Sequence, residues 1–436
     1  MRLLPLVLAS ALAAGCSAQG AAPADEAAFI DVPPRSDAPY EARLFYVFRA
    51  ADAGVQRPAL VVFFNGGPGF PTSLGLLARG TSRVSIDPVT GQLVTNPASW
   101  TSFANLLYVD ERQSGFSYGL GAGSNACTFD PLADAADFVR ALLGFFDAHE
   151  SLRKSPVVLV GESYGGMRAT YALGLLLRYA TEAPQVDGDL AAEIQAHYDK
   201  VFPDRAGTVI DEATAATQFG REILLEPFLL GRAQIDTQAS TIANDPYVGV
   251  VDTSKDPYDI RQPIGWADGI TDAIASALAA PGGCERLLGE DPSRIGDMPA
   301  AARAGAFRTP SLVADRPAVV SLDASLAARL GALGPDDAYV HAMATPCADV
   351  SAPFASPLGA LDDLVANAAH VKTFITRARY DATIYTPAIF TVLAQQGFSQ
   401  VGDGMHLASY DDSGHMIAQA QPRALHDDVA AWLASP

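Results

Sequence analysis

Apolar and polar positions in the first half of the chain follow the order strand, helix, strand, helix. Apolar residues at helical spacing over 133–146 predict a helix, and the apolar run 157–160 leads into a helical pattern over 169–178. Earlier apolar runs predict strands at 42–48, 59–64 and 104–110. This alternation predicts an α/β fold with a mostly parallel sheet and helical crossovers.

The alternation fades between residues 184 and 346, where we expect a largely helical cap insertion over the sheet edge. Its helical patterns lie at 191–201, 211–225, 268–278 and 325–333, separated by loops that contain proline and glycine. Strand patterns resume at 370–376 and 405–410, with helices expected over 387–396 and 422–433. The core is therefore expected in two parts, 29–183 and 347–436.

The N-terminus has the pattern of an export signal. Met1-Arg2 precedes an apolar run from Leu3 to Ala14 that is too short to span a bilayer. Ala13-Ala14-Gly15-Cys16 resembles a bacterial lipobox, which predicts a signal peptide over 1–16, a lipid on Cys16 and a flexible tether over 17–28. We expect a periplasmic or cell-envelope protein anchored by lipid, with ordinary secretion as the alternative.

Charge and cysteine content narrow the partners. A formal charge of −20 and a pI near 4.6 argue against nucleic acid, which needs a basic surface. Beyond Cys16 the chain has Cys127, Cys284 and Cys347, and we expect Cys284 to pair with Cys347, leaving Cys127 free. No metal-ligand spacing and no glycine-rich phosphate loop occurs, so no metal or cofactor is expected; the oligomeric state stays open.

Candidate chemistry centres on Gly161-Glu162-Ser163-Tyr164-Gly165, which joins the predicted strand 157–160 to the helix 169–178. A serine on such a turn projects from the carboxyl edge of the sheet as a nucleophile. A second Gly-x-Ser-x-Gly match surrounds Ser117, but a glycine-rich loop follows it instead of a helix. We therefore predict Ser163 as nucleophile and Ser117 as a structural serine.

A serine nucleophile needs a base and a group that orients the base. His415 follows a glycine in a loop after a predicted strand, whereas the other histidines lie in predicted elements or far from such a loop. Asp381 also follows a strand, and Asp411 and Asp412 are too close to His415 in sequence to approach it from another loop. Ser163, Asp381 and His415 then have the chain order of an α/β-hydrolase triad.

An oxyanion hole needs two N–H donors. Tyr164 supplies one directly after the serine, and Gly67, in the turn Asn65-Gly66-Gly67-Pro68-Gly69 after the strand 59–64, fits the place of the second. Taken alone, this glycine-rich segment is more typical of a simple tight turn.

Several motifs resemble the serine carboxypeptidase family, peptidase family S10. They occur in the family's order from about Phe63 to Pro422, and Asp256-Pro257-Tyr258-Asp259-Ile260-Arg261 also resembles a family segment. The motifs are Asn65-Gly66-Gly67-Pro68-Gly69, residues 105–110 with Gly115-Phe116-Ser117-Tyr118, Gly161-Glu162-Ser163-Tyr164-Gly165-Gly166, and Gly414-His415-Met416 with Gln421-Pro422.

The resemblance implies an α/β-hydrolase fold with a cap and hydrolysis of C-terminal peptide bonds through an acyl-enzyme. It implies Ser163 as nucleophile, Asp381 and His415 as its partners, and Gly67 and Tyr164 as the oxyanion hole. Asn65, Gly66 and Glu162 then match positions that bind substrate. A carboxyl donates to a substrate carboxylate only when protonated, so we expect burial to raise the pKa of Glu162 and activity to favour acidic pH.

The chain departs from the family pattern near this substrate site. Phe63 and Phe64 stand where tryptophan is common, Phe70 replaces a cysteine, and no second glutamate occurs in 77–81. Arg79 could replace that glutamate as a charged donor, or it is an ordinary surface arginine. The alternatives are therefore an esterase or acyltransferase with the same triad, and a catalytically silent surface-binding lipoprotein.

Overall fold

The structure is a computed structural model of the 436-residue chain. It describes residues 24–35, 38–66, 71–73, 75–87, 92–112, 114–120, 130–230, 286–287, 359–381, 384, 386–395 and 404–435. Within these ranges, no helix has both the length and the apolar content that crossing a membrane requires.

The described residues form a nine-stranded sheet and a separate two-stranded ribbon of β4 and β5. The sheet order is β1-β2-β6-β3-β8-β9-β10-β11, with β7 beside β2. Across the part of the sheet ordered β6-β3-β8-β9-β10-β11, neighbouring strands are parallel. The pairs β1 with β2, β2 with β6 and β2 with β7 are antiparallel. The strands are β1 (Glu26–Val32), β2 (Ala42–Arg49), β3 (Ala59–Phe64), β4 (Val84–Ile86), β5 (Leu93–Thr95), β6 (Ala104–Val109), β7 (Tyr118–Gly119), β8 (Val157–Glu162), β9 (Arg221–Leu225), β10 (Lys372–Ala378) and β11 (Met405–Tyr410).

Helices cover both faces of the sheet. Asp130 caps the first of them by accepting from two backbone N–H groups, and Pro131 fits its first turn because that position needs no donor. Within the described ranges, the α-helices given bounds are α1 (Pro131–Ala148), α2 (Tyr164–Leu177), α3 (Ala183–Val186), α4 (Leu190–Val201), α5 (Glu212–Phe219), α6 (Leu361–Asn367), α7 (Pro387–Gln395), α8 (Ile417–Ala420) and α9 (Pro422–Ala434).

Two apolar clusters fill the space between helices and sheet. The larger includes most apolar residues of α1 and α2 and one face of β2, β3 and β8. The smaller lies on the opposite face, where Trp100, Leu425 and Val429 pack against Phe63 and Val160. Every residue of β6 and β8 is buried, as expected for central parallel strands with helices on both sides. The sheet therefore fixes its carboxyl edge rigidly, and the candidate site lies along that edge.

Two sequence predictions are wrong in detail. The helix expected over 211–225 ends at Phe219, and Arg221–Leu225 forms β9 in the middle of the sheet. The range assigned to the cap therefore contains a core strand, and the helices expected over 268–278 and 325–333 lie outside the described residues. The tether expected over 17–28 also ends too late, because β1 begins at Glu26 and pairs with β2.

Candidate active site

Ser163 lies at a sharp corner between β8 and α2. Its backbone has φ 59° and ψ −126°, a conformation that residues other than glycine rarely adopt. The corner requires the flanking glycines: a Cβ on Gly161 would lie 2.1 Å from the carbonyl oxygen of Gly165, and one on Gly165 would lie 2.2 Å from that of Phe64. The sequence thus builds the strained turn that projects a serine from the carboxyl edge.

His415 and Asp381 meet beside this corner. His415 Nδ1 lies 2.7 Å from Asp381 Oδ2, and both residues are buried. An ionised carboxylate only accepts, so Nδ1 carries the hydrogen and Nε2 is left as the basic atom. The backbone N–H of Ile384 donates to the other oxygen of Asp381 at 3.0 Å. The loops after β10 and β11 therefore bring together two residues that are far apart in sequence.

The contact between serine and histidine is not closed in this structure. Both residues are described, yet no hydrogen bond joins Ser163 Oγ to His415. Catalytic hydrogen bonds often close only in the complex with substrate. The charge of Glu162, the residue before the serine, acts electrostatically on His415.

The electrostatics of His415 favour its charged form. Burial works to lower the pKa of the imidazole, but the carboxylates of Asp381 and Glu162 outweigh it and raise the pKa above 6.5, against the opposing charge of Arg79. The imidazolium that forms when a base accepts a proton from serine is thus stabilised in place.

The backbone of Gly66 approaches the corner closely. A Cβ on residue 66 would lie 2.6 Å from Glu162 O, 2.7 Å from Ser163 Cβ and 2.9 Å from Tyr164 N. Only a glycine allows the segment after β3 to run against the N-terminus of α2, where two oxyanion donors were expected. Tyr164 occupies the first position of α2, whereas Gly67 lies outside the described residues.

Asn65, Glu162 and Arg79 form a buried polar group beside Ser163. Asn65 Nδ2 donates to Glu162 Oε1 at 2.7 Å, and Asn65 Oδ1 accepts from the backbone N–H of Leu76 at 2.8 Å. Burial raises the pKa of Glu162, against the opposing charges of Arg79 and His415. This agrees with the sequence-based expectation that Glu162 holds a proton more tightly than an exposed glutamate does.

Arg79 is not a surface residue. Its side chain is buried on the helical turn Leu77–Thr81, and burial lowers the pKa of the guanidinium to about 10. At neutral pH it therefore remains a cation, which acts electrostatically on Glu162 and on His415. The segment that lacks the second family glutamate thus places a positive charge beside the candidate carboxylate site.

The sequence analysis missed Glu226. This residue directly follows β9 and is 1% exposed, and its carboxyl group is within hydrogen-bonding reach of Asp381. Burial, followed by the charge of Asp381, raises its pKa well above the usual value. Since the range 184–346 was assigned to the cap, an acid after an apolar strand was overlooked; the run Ile223-Leu224-Leu225 before it was the available signal.

Arg168, which the sequence analysis also missed, links the segment after β3 to α2. Its guanidinium donates to the carbonyl oxygen of Asn65 and pairs with Asp134 and Glu111, and it stacks over Phe138. Burial lowers its pKa well below the ordinary value. The Arg168 guanidinium, enclosed by two carboxylates and a carbonyl oxygen, thus fixes the backbone position of Asn65.

Ser117 has the structural role expected from its loop context. Its Oγ accepts from the N–H of Phe45 at 2.8 Å and donates to the carbonyl oxygen of Asp110 at 2.9 Å. Three other described histidines are hydrogen-bonded away from the serine corner: His149 to Glu26, His197 to Gln218 and His426 to Ser102. In the described ranges, no three His, Cys, Asp or Glu side chains are grouped as metal ligands.

The fold and the corner at Ser163 define the class: this is an α/β-hydrolase-fold protein. The crystal structure of KEX1(Δ)p, a prohormone-processing carboxypeptidase from Saccharomyces cerevisiae, superposes with a TM-score of 0.54 at 12% identity, covering 94% of this chain and 91% of that chain. At this identity the likeness concerns the fold alone.

The sequence comparisons confirm the resemblance to the serine carboxypeptidase family. Residues 28–187 match the family model of that name. Carboxypeptidase sxa2 of Schizosaccharomyces pombe is 36% identical over 134 residues, 30% of this chain and 25% of that protein. Serine carboxypeptidase-like 13 of Arabidopsis thaliana is 30% identical over 135 residues, 29% of this chain and 30% of that protein. The matched segments thus span about a quarter to a third of these relatives. The range 28–187 of the family model includes Ser163 but neither Asp381 nor His415.

Proposed function

We propose that this protein is a serine-type carboxypeptidase that hydrolyses C-terminal peptide bonds through an acyl-enzyme on Ser163. The observation that carries the proposal is the buried His415–Asp381 pair beside the strained serine corner, next to the hydrogen-bonded Asn65–Glu162 pair. The first pair supplies acyl-transfer chemistry, and the second supplies a place for the carboxylate of a C-terminal residue.

In the proposed mechanism, Ser163 Oγ attacks the carbonyl carbon of the last peptide bond while His415 Nε2 takes the hydroxyl proton. The N–H of Tyr164, with that of Gly67, receives the negative charge on the carbonyl oxygen. His415 then gives its proton to the leaving amine, which frees the C-terminal amino acid. Water, deprotonated by the same imidazole, hydrolyses the acyl-serine and restores the enzyme. Asp381 keeps the tautomer of His415 and stabilises its cation throughout.

Recognition of the substrate carboxylate falls to Glu162, Asn65 and Arg79 in this proposal. A protonated Glu162 donates one hydrogen bond, and the Arg79 guanidinium contributes a charge of the opposite sign. The burial of all three residues supports this role, because a buried anion needs both a donor and a counter-charge.

An esterase or acyltransferase is the second candidate. The specific observation in its favour is that residues 77–81 contribute an arginine where the family uses a second glutamate, so the carboxylate site is not the usual one. Such an enzyme would use the same triad and oxyanion hole with an uncharged acyl donor.

The experiment compares N-blocked dipeptides with a free or an amidated C-terminus from about pH 4 to about pH 8. We expect the wild-type protein to prefer the free acid and Ser163→Ala to be inactive. Equal or faster turnover of the amide or of a small ester would assign the esterase or acyltransferase function instead.

Ser117→Ala is the matched control, because Ser117 is the centre of the other Gly-x-Ser-x-Gly sequence. A fluorophosphonate probe should label wild type and Ser117→Ala but not Ser163→Ala. A wild-type protein that hydrolyses nothing and takes up no label would point to the catalytically silent binding protein.

The cellular location is part of the same proposal. An exported protein, held in the envelope by a lipid on Cys16, would meet peptide C-termini outside the cytoplasm. The signal segment, Cys16 and the three other cysteines lie outside the described residues, so their roles and pairing stay predictions. The cap also stays a prediction for the part of the range 184–346 that lies outside the described residues.

A further inference from the structure

The backbone around Glu226 is tied to the nucleophile residue on both sides. The N–H of Ser163 donates to Leu225 O at 2.9 Å, and the N–H of Phe228 donates to Ser163 O at 2.9 Å. Glu226 itself has φ 44°, a left-handed conformation that is unusual for a glutamate. The loop after β9 therefore holds a strained, buried acid at a fixed place relative to Ser163.

The carboxyl group of Glu226 is fixed from several directions. Thr376 Oγ1 lies 3.2 Å from Oε1 and Thr386 Oγ1 lies 3.3 Å from Oε2, both as donors. The same Thr376 hydroxyl accepts from the backbone N–H of Glu226 at 2.9 Å. Asp381 is also within hydrogen-bonding reach of the carboxyl group. The side chain thus bridges the serine corner and the loop that carries the acid of the triad.

Two carboxyl groups can be hydrogen-bonded to each other only if they share a proton, because an ionised carboxylate has nothing to donate. Asp381 also accepts from His415 Nδ1 and from the N–H of Ile384, two donors that favour a negative charge. Glu226 faces two neutral hydroxyls and is 1% exposed. The proton therefore belongs to Glu226.

We propose that Glu226 is a positioning residue of the triad: as a protonated acid it donates a hydrogen bond to Asp381 and holds that carboxylate in line with His415 Nδ1. The inference rests on the proposed triad but not on a peptide as substrate. Glu226 acts through Asp381 and needs no contact with the reacting atoms.

Other charged and titratable groups act on His415 and on Glu226. His415 faces Glu162 at the end of β8 and Arg79 on the turn Leu77–Thr81, in addition to Asp381. Glu226 faces Asp381 and the phenol of Tyr410 at the end of β11. Substitutions at 226 leave all these groups in place.

The experiment uses Glu226→Gln, whose neutral amide keeps a donor, and Glu226→Met, which has none. Glu222→Met is the matched control, because Glu222 is a fully buried acid on β9 that accepts from the hydroxyls of Thr373 and Thr170 instead of contacting Asp381. One readout is the rate of Ser163 labelling by a fluorophosphonate as a function of pH. The other is the titration of His415 followed by NMR.

We expect Glu226→Gln to label within about threefold of wild type with an unchanged acid limb, and Glu226→Met to label at least about tenfold more slowly. Glu222→Met should leave the acid limb and the His415 titration unchanged. An ionised Glu226 would instead add negative charge near His415, so its removal in Glu226→Gln would move the acid limb to lower pH and overturn the proposal. Equal slowing by both methionine variants would also overturn it.

Each failure is distinguishable. If Glu226→Met does not fold, the acid limb of Glu226→Gln still decides whether Glu226 is protonated. If wild type labels but cleaves no peptide, the proposed carboxypeptidase function fails and the test of Glu226 stands. If wild type does not label, the proposed nucleophile fails, and the NMR titration of His415 in wild type and Glu226→Gln still decides the proton on Glu226.

Discussion

Protonation of Glu162 and protonation of His415 are linked, because each group acts electrostatically on the other. Burial raises the pKa of Glu162 above 4.5, which favours activity at acidic pH, whereas the pKa of His415 is raised above 6.5, which opposes it. Cleavage of a free C-terminus needs a proton on Glu162 and none on Nε2 of His415. The pH profile for such peptides should therefore be bell-shaped, with two limbs that belong to the coupled titration of Glu162 and His415.

The first prediction at the residue scale concerns Glu162→Gln. The amide stays neutral at every pH, so the rise in KM for free-acid peptides on the alkaline side should disappear. For the free acid, the profile should then keep its acid limb and lose its alkaline limb. Initial rates over the full pH range, with the free acid and the amide as paired substrates, measure both effects.

Glu222→Gln is the control for neutralising a buried glutamate away from the triad, and its two limbs should match those of wild type. An alkaline limb that persists for the free acid alone would assign carboxylate recognition to another residue.

Sequence alone could place Ser163, Asp381 and His415, because each follows a strand pattern and parallel strands bring such loops to one edge. It could not place Glu226, whose partners lie about 150 positions further along the chain. It also left Arg79 undecided, because burial of a cation depends on tertiary packing that local periodicity does not report.

At the scale of elements, the corner between β8 and α2 and the segment after β3 fit together only because residue 66 has no side chain. Gly66→Ala would place its Cβ 2.7 Å from Ser163 Cβ and 2.6 Å from the carbonyl oxygen of Glu162, closer than real Cβ atoms come. The backbone must shift, and a displacement of about 1 Å at a reacting group lowers the rate by about 100-fold. We expect kcat/KM to fall by about this factor, measured on the best substrate of wild type.

Gly188→Ala is the control, because nothing lies within 4 Å of a Cβ added there. It should leave kcat/KM and the midpoint of thermal unfolding unchanged. Wild-type activity in Gly66→Ala would mean that the segment after β3 does not need its observed place against Tyr164 N.

Element prediction succeeded where a long apolar pattern has one interpretation. Apolar spacing located α1 and α4 within two residues of their observed limits, since their buried faces repeat at helical spacing. It failed at β9, where Arg221-Glu222-Ile223-Leu224-Leu225 fits either element. The strand is decided by pairing with β8 and β10 and by the hydroxyls of Thr170 and Thr373, which accommodate Glu222.

For the whole molecule, buried titratable groups make stability depend on pH in opposing directions. Burial raises the pKa of Glu222 from 4.5 to about 7, so its stabilising effect is complete below pH 4.5 and is lost as the pH rises to about 7. Burial lowers the pKa of His197 from 6.5 to about 4, so its neutral form supports the fold above pH 6.5 and stability is lost as the pH falls to about 4. Over much of the same window the two effects oppose each other.

Removing one of these groups should reveal its effect as a difference. Because all other groups are shared by both proteins, the free energy of unfolding of Glu222→Gln minus that of wild type isolates Glu222. This difference should grow in favour of the variant by up to about 3 kcal/mol between pH 4.5 and pH 7 and then level off. Urea unfolding at matched pH values measures it, and its slope is independent of any constant cost of the amide in the site. A difference that stays constant with pH would mean that Glu222 is already ionised in the folded protein over this range. A buried carboxylate that accepts only from two threonine hydroxyls would then need further stabilising contacts, which a rearranged sheet would have to supply.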